Sequence, residues 1–143
     1  MVWLVGLVVV IIIVCWVVCE GKRREKEKRR QEEEEWAQLA GQREANRQAL
    51  AGAIVTANGS HISGRRIENH LGAVFSKWQR VELDSLPVEY YMPGYDALQM
   101  HDLVELTLKY RAKELGANAI IHLRMRTFRN GCEGSGDAVL TTT

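Results

Sequence analysis

Residues 100–128, MHDLVELTLKYRAKELGANAIIHLRMRTF, hold the pattern that decides the fold of this chain. Apolar residues recur at the spacing of one helix face from Ala97 to Leu115, which predicts an amphipathic helix. Asp96 stands where an N-cap residue is expected, and Gly116 follows as a helix-ending glycine, a position that favours a left-handed backbone. The sequence therefore predicts one substantial helix that ends sharply at Gly116.

A strand is predicted directly after this helix, over Ala119–Phe128. Successive side chains of a strand point to opposite sides of a sheet. One side holds Leu123, Met125 and Thr127, and the other holds His122, Arg124 and Arg126. In a single copy the polar side is solvated surface, whereas a ring of copies would concentrate its positive charge and attract anions or an acidic partner segment. His122, Arg124 and Arg126 are therefore the candidate anion-facing residues.

Short β patterns complete the C-terminal part. Ala53–Thr56 is β-prone, Arg66–Phe75 contains a strand in which Gly72 indicates a bulge, and Asp137–Leu140 is typical of a last strand. Together with the helix, these patterns predict an α+β domain over residues 52–143, in which one main helix packs on a short-stranded sheet.

Three motifs follow one another along this domain: NHLGAV at Asn69–Val74, AKELGANAII at Ala112–Ile121 and GDAVL at Gly136–Leu140. In this order they resemble the YbjQ-like family, whose members are also called heavy-metal-binding domains. The resemblance covers about residues 52–140. The segment Tyr90–Tyr95 stands where the family usually has a Gly-Gly-rich segment, and Asp137 replaces the usual threonine. The resemblance implies a small α+β domain that assembles into rings, pentamers in known relatives, so a homo-oligomer is expected.

Candidate metal ligands and catalytic groups are sparse in this sequence. The side chains that could bind a metal are dispersed, without a CxxC, HxxxH or HxH spacing: His61, His70, His101, His122 and Cys132. Neither a phosphate-binding glycine loop nor a nucleophile elbow occurs. We therefore expect no metal site, no cofactor and no enzymatic activity.

The N-terminal stretch Val2–Cys19 contains no charged residue. As a helix it would be roughly 27 Å long, close to the hydrocarbon core of a bilayer at about 30 Å. Trp3 and Trp16 stand near its ends, where indole rings favour the membrane interface. A cleaved signal peptide is the disfavoured alternative, because no charged side chain precedes the apolar run. The sequence therefore predicts a transmembrane helix over residues 1–20.

A basic cluster that begins with Lys22, Arg23 and Arg24 follows this stretch. By the positive-inside tendency these residues set the topology, which predicts a single-pass membrane protein with a cytoplasmic C-terminal domain. The cluster gives way to Glu32–Glu35, and the net charge of the chain is only +1. This alternation of sign argues against a nucleic-acid partner.

Residues 21–51 predict a charged helical stalk, since they are rich in strong helix formers and lack proline. Opposite charges stand four residues apart at Lys28/Glu32, Arg29/Glu33 and Arg30/Glu34. Arg43 and Arg47 interrupt the thin apolar stripe from Trp36 to Leu50, which favours a solvated spacer over a weak helix bundle. The expected function is a membrane-tethered, non-enzymatic oligomerisation or scaffold module at the cytoplasmic membrane surface. The alternative is a metal- or anion-binding sensor domain.

Overall fold

The computed structural model describes residues 2–79, 82–83 and 86–143, and the side chains of residues 12–79 and 86–143. Within these residues the chain forms two helices and five strands: α1 (Val2–Ala53), β1 (Val55–Thr56), β2 (Arg66–Gln79), β3 (Glu82–Leu83), α2 (Met100–Glu114), β4 (Ala119–Phe128) and β5 (Gly131–Thr142). The strands make one sheet in the order β1-β4-β5-β2-β3. β1 is parallel to β4, and the other neighbours are antiparallel. The α+β class is confirmed.

Two of the three main strands, β2 and β5, are longer than the sequence patterns indicated, whereas β4 has the predicted bounds. β2 has 14 residues, β4 has 10 and β5 has 12, so the prediction of a short-stranded sheet is wrong. β5 begins with a run that contains Gly131, Gly134 and Gly136, and glycine is depleted in strands. The glycines hid the first half of this strand, which lies in the middle of the sheet between β4 and β2.

The chain divides into two compact units, Met1–Gly41 and Gln42–Thr143. The sequence places the start of the C-terminal domain at Gly52, but the C-terminal unit also contains the last turns of α1. Leu50 is only 1% exposed and packs in the main core of this unit, as does Ile54. The end of the predicted stalk therefore contributes core residues.

In the first unit, the polar part of α1 carries exposed ion pairs between residues that are four positions apart. Arg23 and Glu27 approach to 3.3 Å, and Arg30 and Glu34 to 3.7 Å. The second of these is a predicted pair. Each exposed pair stabilises a helix by only a few tenths of a kcal/mol, so the ion pairs contribute little to the stability of α1.

The predicted membrane span is corrected by the structure. In the part of the chain that the structure describes, no helix is long and apolar enough to cross a membrane. The predictions of a single-pass membrane protein and of a cytoplasmic C-terminal domain are therefore wrong for the described residues.

Two predicted roles depend on a membrane span: the topology role of Lys22, Arg23 and Arg24, and the interface position of Trp3 and Trp16. Both stay predictions from the sequence. In the structure Trp16 is an exposed helical residue. The side chains of residues 2–11, including that of Trp3, lie outside the described residues.

In the second unit, α2 packs on one face of the sheet, against β2 and β5. We call this the covered face. Val104, Leu108 and Ala112 of α2 are completely buried, in agreement with the helix periodicity of the sequence. Gly134 of β5 permits the close approach, because a Cβ atom at this position would lie 2.7 Å from the Leu108 side chain and 2.9 Å from that of Val104.

The beginning of α2 differs from the prediction. Gln99, in an extended conformation, is the N-cap residue, and it makes no side-chain capping hydrogen bond. Asp96 accepts hydrogen bonds from Arg47 and from the Met92 amide instead, so its assignment as the N-cap was wrong.

The end of α2 agrees with the prediction. Gly116 has a φ of +79°, the left-handed conformation expected of a helix-ending glycine. Its N–H donates to the Lys113 carbonyl at 2.9 Å, and the Ala117 N–H donates to the Ala112 carbonyl at 2.9 Å. These two bonds form a Schellman motif, whose apolar contact joins the buried Ala112 and Ala117.

Asn118, the next residue of the motif, joins β4 to its neighbours. Its side-chain amide donates to the Thr141 carbonyl at 2.7 Å and accepts from the Thr141 N–H at 2.8 Å, as a strand backbone would. Its backbone carbonyl accepts a hydrogen bond from the Val55 N–H at 3.1 Å. The motif that carried the family resemblance therefore has a structural role here: it ends α2 and aligns the strands.

A β-bulge interrupts β4 at His122. The register with β5 shifts between Ile121 and Arg124, and His122 has a φ of +52°. Its N–H donates to the Gly59 carbonyl at 2.9 Å. A left-handed backbone is uncommon for residues other than glycine, although histidine is among the more tolerant. The extra residue returns Leu123 to the covered face, whereas Ile121 points to the opposite side.

Candidate functional site

The face of the sheet opposite α2 presents the outward residues of β4, β5 and β2. A small cluster around the buried Ile62 covers one end of it. The strand register arranges the remainder, which we call the open face, in two adjacent rows: Arg124 with Ser135 and Phe75; Arg126 with Glu133 and Lys77. Beside them His122, in the bulge, contacts Asp137, which pairs with Ala73 of β2. Along β5 the residues of the open face are half-buried, and those of the covered face are buried.

The structure brings the three candidate residues together on the open face, but two of them have acidic neighbours. His122 Nδ1 lies 2.8 Å from Asp137 Oδ2, within hydrogen-bonding distance. Arg126 Nη1 lies 4.0 Å from Glu133 Oε1. The face therefore carries both signs of charge, unlike the uniformly positive lining expected from β4 alone.

The sequence interpretation missed Glu133 and Asp137 as members of this face. A prediction of β4 by itself identifies which residues share a side, but the identity of the residues across the strand depends on the register with β5. That register includes the bulge at His122, which no local pattern announced. The alternation of β5 from Cys132 onward is the signal that could have found them, had its glycines not obscured the strand.

A groove of about 560 Å³ lies on this face. Its lining includes small residues of the middle strands, with larger polar and aromatic side chains around them: Ala73, Val74, Phe75, His122, Arg124, Ser135, Gly136 and Asp137. Small residues at the centre of a strand row leave a hollow, because neighbouring side chains are only about 5 Å apart. The hollow lies over Ser135.

Arg124 differs from the other cations of the groove region. Ser135 lies opposite it on β5 and provides no countercharge. Among the described residues, Arg124 has neither a hydrogen bond nor an ion pair from its side chain. It is thus the unneutralised cation at the edge of the groove.

Two phenylalanines add apolar surface to the open face. Phe75 is 49% exposed, a large value for an aromatic residue on a sheet. Phe128 lies beneath Lys77, whose ammonium is 5.5 Å from the ring centroid, a cation–π distance. Aromatic surface beside charged groups is typical of surfaces that bind other proteins.

A second polar cluster joins the end of α1 to the segment before α2. Arg43 Nε donates to the Val88 carbonyl at 3.1 Å, and Asn46 Nδ2 donates to the Glu89 carbonyl at 2.9 Å. Arg47 Nε donates to the next carbonyl, that of Tyr90, at 2.6 Å. Three consecutive carbonyls thus meet donors from one side of a helix, and we call this cluster the arginine clamp. Its two arginines also donate to side chains, Arg43 to the Met92 sulfur and Arg47 to Glu44 and Asp96.

Asp96 completes the arginine clamp. Burial alone would raise the pKa of this carboxyl, but the hydrogen bonds from Arg47 and from the Met92 amide outweigh burial, with help from the charges of Arg47 and Arg43. The pKa of Asp96 is consequently lowered from its ordinary value of 3.8. The ion pair between Arg47 and Asp96 is therefore a structural part of the clamp.

The dispersed metal-ligand candidates remain dispersed. No group of three or more His, Cys, Asp or Glu side chains is placed to hold a metal ion in the described ranges of the chain. Cys132 is buried in the main core, with its sulfur 4.0 Å from the Thr127 hydroxyl. His101 lies on the exposed start of α2, 3.9 Å from Asp102.

Comparison with known proteins gives no assignment. No protein-family model matches this chain, and no curated protein matches it.

Proposed function

We propose that this chain is a non-enzymatic self-association module, whose C-terminal unit binds further copies of itself. The open face is the observation that supports the proposal. It combines an exposed aromatic ring at Phe75, an unneutralised cation at Arg124 and a hollow at Ser135, opposite a face that α2 covers. An antiparallel sheet tolerates one solvated face, but a hollow with an exposed aromatic ring at its edge favours a partner surface.

The edges of the sheet support the same proposal. In the described residues, β3 pairs with β2 only at Trp78 and Gln79, and β1 pairs with β4 only at Ala119 and Ile120. The His122 and Leu123 amides also donate to the Gly59 and Ala57 carbonyls, so the outer side of β4 extends beyond its neighbours from Arg124 onward. The outer side of β2 extends beyond β3 before Trp78. Unpaired strand edges favour pairing with another chain.

The YbjQ-like resemblance points in the same direction, because that family assembles into rings. Membership of the family and a pentameric ring remain proposals for this chain. The resemblance covers the unit that contains the open face, and the helix-to-strand motif on which it rests positions the start of β4.

Sedimentation velocity of the intact chain tests the proposal. A concentration series in the micromolar range should show a mass greater than the 16.2 kDa of one copy. The mass of the limiting species gives the number of copies and tests the pentamer expected from the resemblance. A single species of one-copy mass over the whole series would refute self-association.

Anion binding is the second candidate function, and Arg124 is the observation that favours it. An unpaired guanidinium beside a hydroxyl group is a suitable donor set for a carboxylate or phosphate. Phosphate should then raise the melting temperature of the wild-type chain more than that of Arg124→Gln. Equal shifts for both chains would remove this candidate.

A further inference from the structure

The open face has a pattern of charge that is complementary to itself. Arg124 and Arg126 of β4 stand beside Ser135 and Glu133 of β5, and His122, in the bulge of β4, lies beside Asp137 of β5. The cations thus form one column and the acids the adjacent one. When a second copy is rotated by 180° and placed face to face with the first, the cationic column of each copy can lie over the acidic column of the other. Isologous interfaces have this property, since each patch must complement itself.

One symmetry operation places the cationic column of each copy over the acidic column of the other. A two-fold axis parallel to the strands, between β4 and β5, lays β4 of each copy over β5 of the other. Arg126 then lies opposite Glu133 of the second copy, and Arg124 lies opposite Ser135 of the second copy. Sheets that pack in this way lie about 10 Å apart with their strands nearly aligned.

Shape agrees with charge in the row of Arg124. Arg124 is the long side chain that lacks an internal partner, and Ser135 is the short side chain that leaves the hollow. The two-fold operation exchanges these positions, so each Arg124 enters a hollow of the opposite copy. The wall of that hollow carries the Asp137 carboxylate and the exposed ring of Phe75, which offer an ion pair and a cation–π contact.

We propose that two copies of this chain meet face to face through their open faces, with Arg124 of each seated in the hollow beside Ser135 and Asp137 of the other. This inference rests on the proposed self-association and names one contact, a two-fold contact that closes at two copies and is separate from any contact around a ring. The occupant of the groove is thus a second copy of the same chain. A polyanion is disfavoured, because Glu133 and Asp137 lie within the face.

A charge exchange between two variants tests the contact. In a pair of Arg124→Asp copies, the introduced carboxylate meets Asp137 of the other copy. In a pair of Asp137→Arg copies, the introduced guanidinium meets Arg124. Like charges at both contacts should weaken self-association of each variant by roughly 100-fold in dissociation constant.

The mixture of the two variants supplies the decisive measurement. Each contact in a mixed pair joins a carboxylate to a guanidinium, so association should return to within about tenfold of the wild-type dissociation constant. Sedimentation of an equimolar mixture, with one variant carrying a fluorescent label, detects the mixed pair. Restoration also shows that both variants are folded.

Arg129→Asp is the matched control, since Arg129 is an exposed arginine in the turn after β4 and is absent from the groove lining. It should associate as the wild type does. Three outcomes would overturn the inference: single variants that associate normally, a mixture that stays dissociated, or a control as defective as Arg124→Asp. In each of these cases an associating wild-type chain would leave the proposed function standing, with the strand edges as its contact. A wild-type chain of one-copy mass would end both.

Discussion

Asp96 illustrates, at the scale of single residues, how a side chain can serve a role that its position in the sequence does not indicate. Its place before the apolar periodicity of α2 is typical of an N-cap. The structure instead pairs it with Arg47, which is distant in sequence and comes from α1. Local spacing could not reveal this pairing, because the partner is determined by how the helices pack.

The ion pair predicts a dependence of stability on pH. Because the pKa of Asp96 is lower in the folded chain than its ordinary 3.8, folding favours the ionised carboxylate. Its contribution is complete above about pH 4 and disappears as the pH falls through the lowered pKa. Asp96→Asn should therefore cost about 1.5–3 kcal/mol at neutral pH and much less at pH 2, in urea unfolding.

Asp102→Asn is the control for this prediction, since Asp102 is 60% exposed and lies in the first turn of α2. It should change stability by less than about 1 kcal/mol. If the two substitutions had equal effects at every pH, the arginine clamp would not be a stabilising contact.

Gly116 gives a second prediction at this scale. Space is available for a side chain, as no heavy atom lies within 4 Å of the position of a Cβ atom, but the φ of +79° disfavours one. Gly116→Val should cost on the order of 1–2 kcal/mol, for conformational reasons alone. Gly59→Val has the same open space without the positive φ and should be nearly neutral in thermal unfolding. A harmless Gly116→Val would contradict the assigned end of α2.

At the scale of elements, local patterns predicted the core of the domain and missed its connections. Helix α2, apart from its first residues, and strand β4 could be predicted, because both bury one face in a regular period. The full lengths of β2 and β5 could not, since bulges and glycines break the period. The acids of the open face were missed for the same reason, as they depend on cross-strand register.

The contact between α2 and β5 predicts coupled substitutions. Leu108→Ala should cost roughly 2–5 kcal/mol, because Leu108 is completely buried. Gly134→Ala should cost about 1–3 kcal/mol, since the new methyl group meets the Leu108, Met125 and Val104 side chains. Leu108→Ala makes room for that methyl group, so the double variant should be more stable than the sum of the single effects indicates. Strict additivity in denaturant unfolding would contradict the close packing.

For the whole molecule, the structure moves the boundary of the folded unit toward the N-terminus. The clamp residues Arg43 and Arg47, like Leu50, belong to the unit that begins at Gln42. The sequence could not reveal this, because two arginines in a helix with a thin apolar stripe are also typical of a solvated spacer. Their partners are backbone carbonyls, which have no sequence signature, and Asp96, which is distant in sequence.

Two truncations test this boundary. A fragment from Gln42 to Thr143 should unfold cooperatively, whereas one from Gly52 to Thr143 should be markedly less stable. The shorter fragment loses the burial of Leu50, about 1.5–3 kcal/mol, and the hydrogen bonds of the clamp, about 0.5–1.5 kcal/mol each. Equal melting temperatures for the two fragments would place the boundary where the sequence interpretation put it.

The single extra residue at His122 acts on β4 as an inserted base acts on a reading frame. The alternation of every later residue of β4 is shifted by one position, so that Leu123 and Met125 lie on the covered face and Arg124 lies on the open face. Deletion of His122 alone would join Ile121 to Leu123 in a regular strand and leave the two faces as they are, whereas one residue inserted beyond the bulge would exchange them. A designer who wishes to lengthen this hairpin should therefore add residues in pairs beyond the bulge, because each pair keeps the later side chains on their present faces.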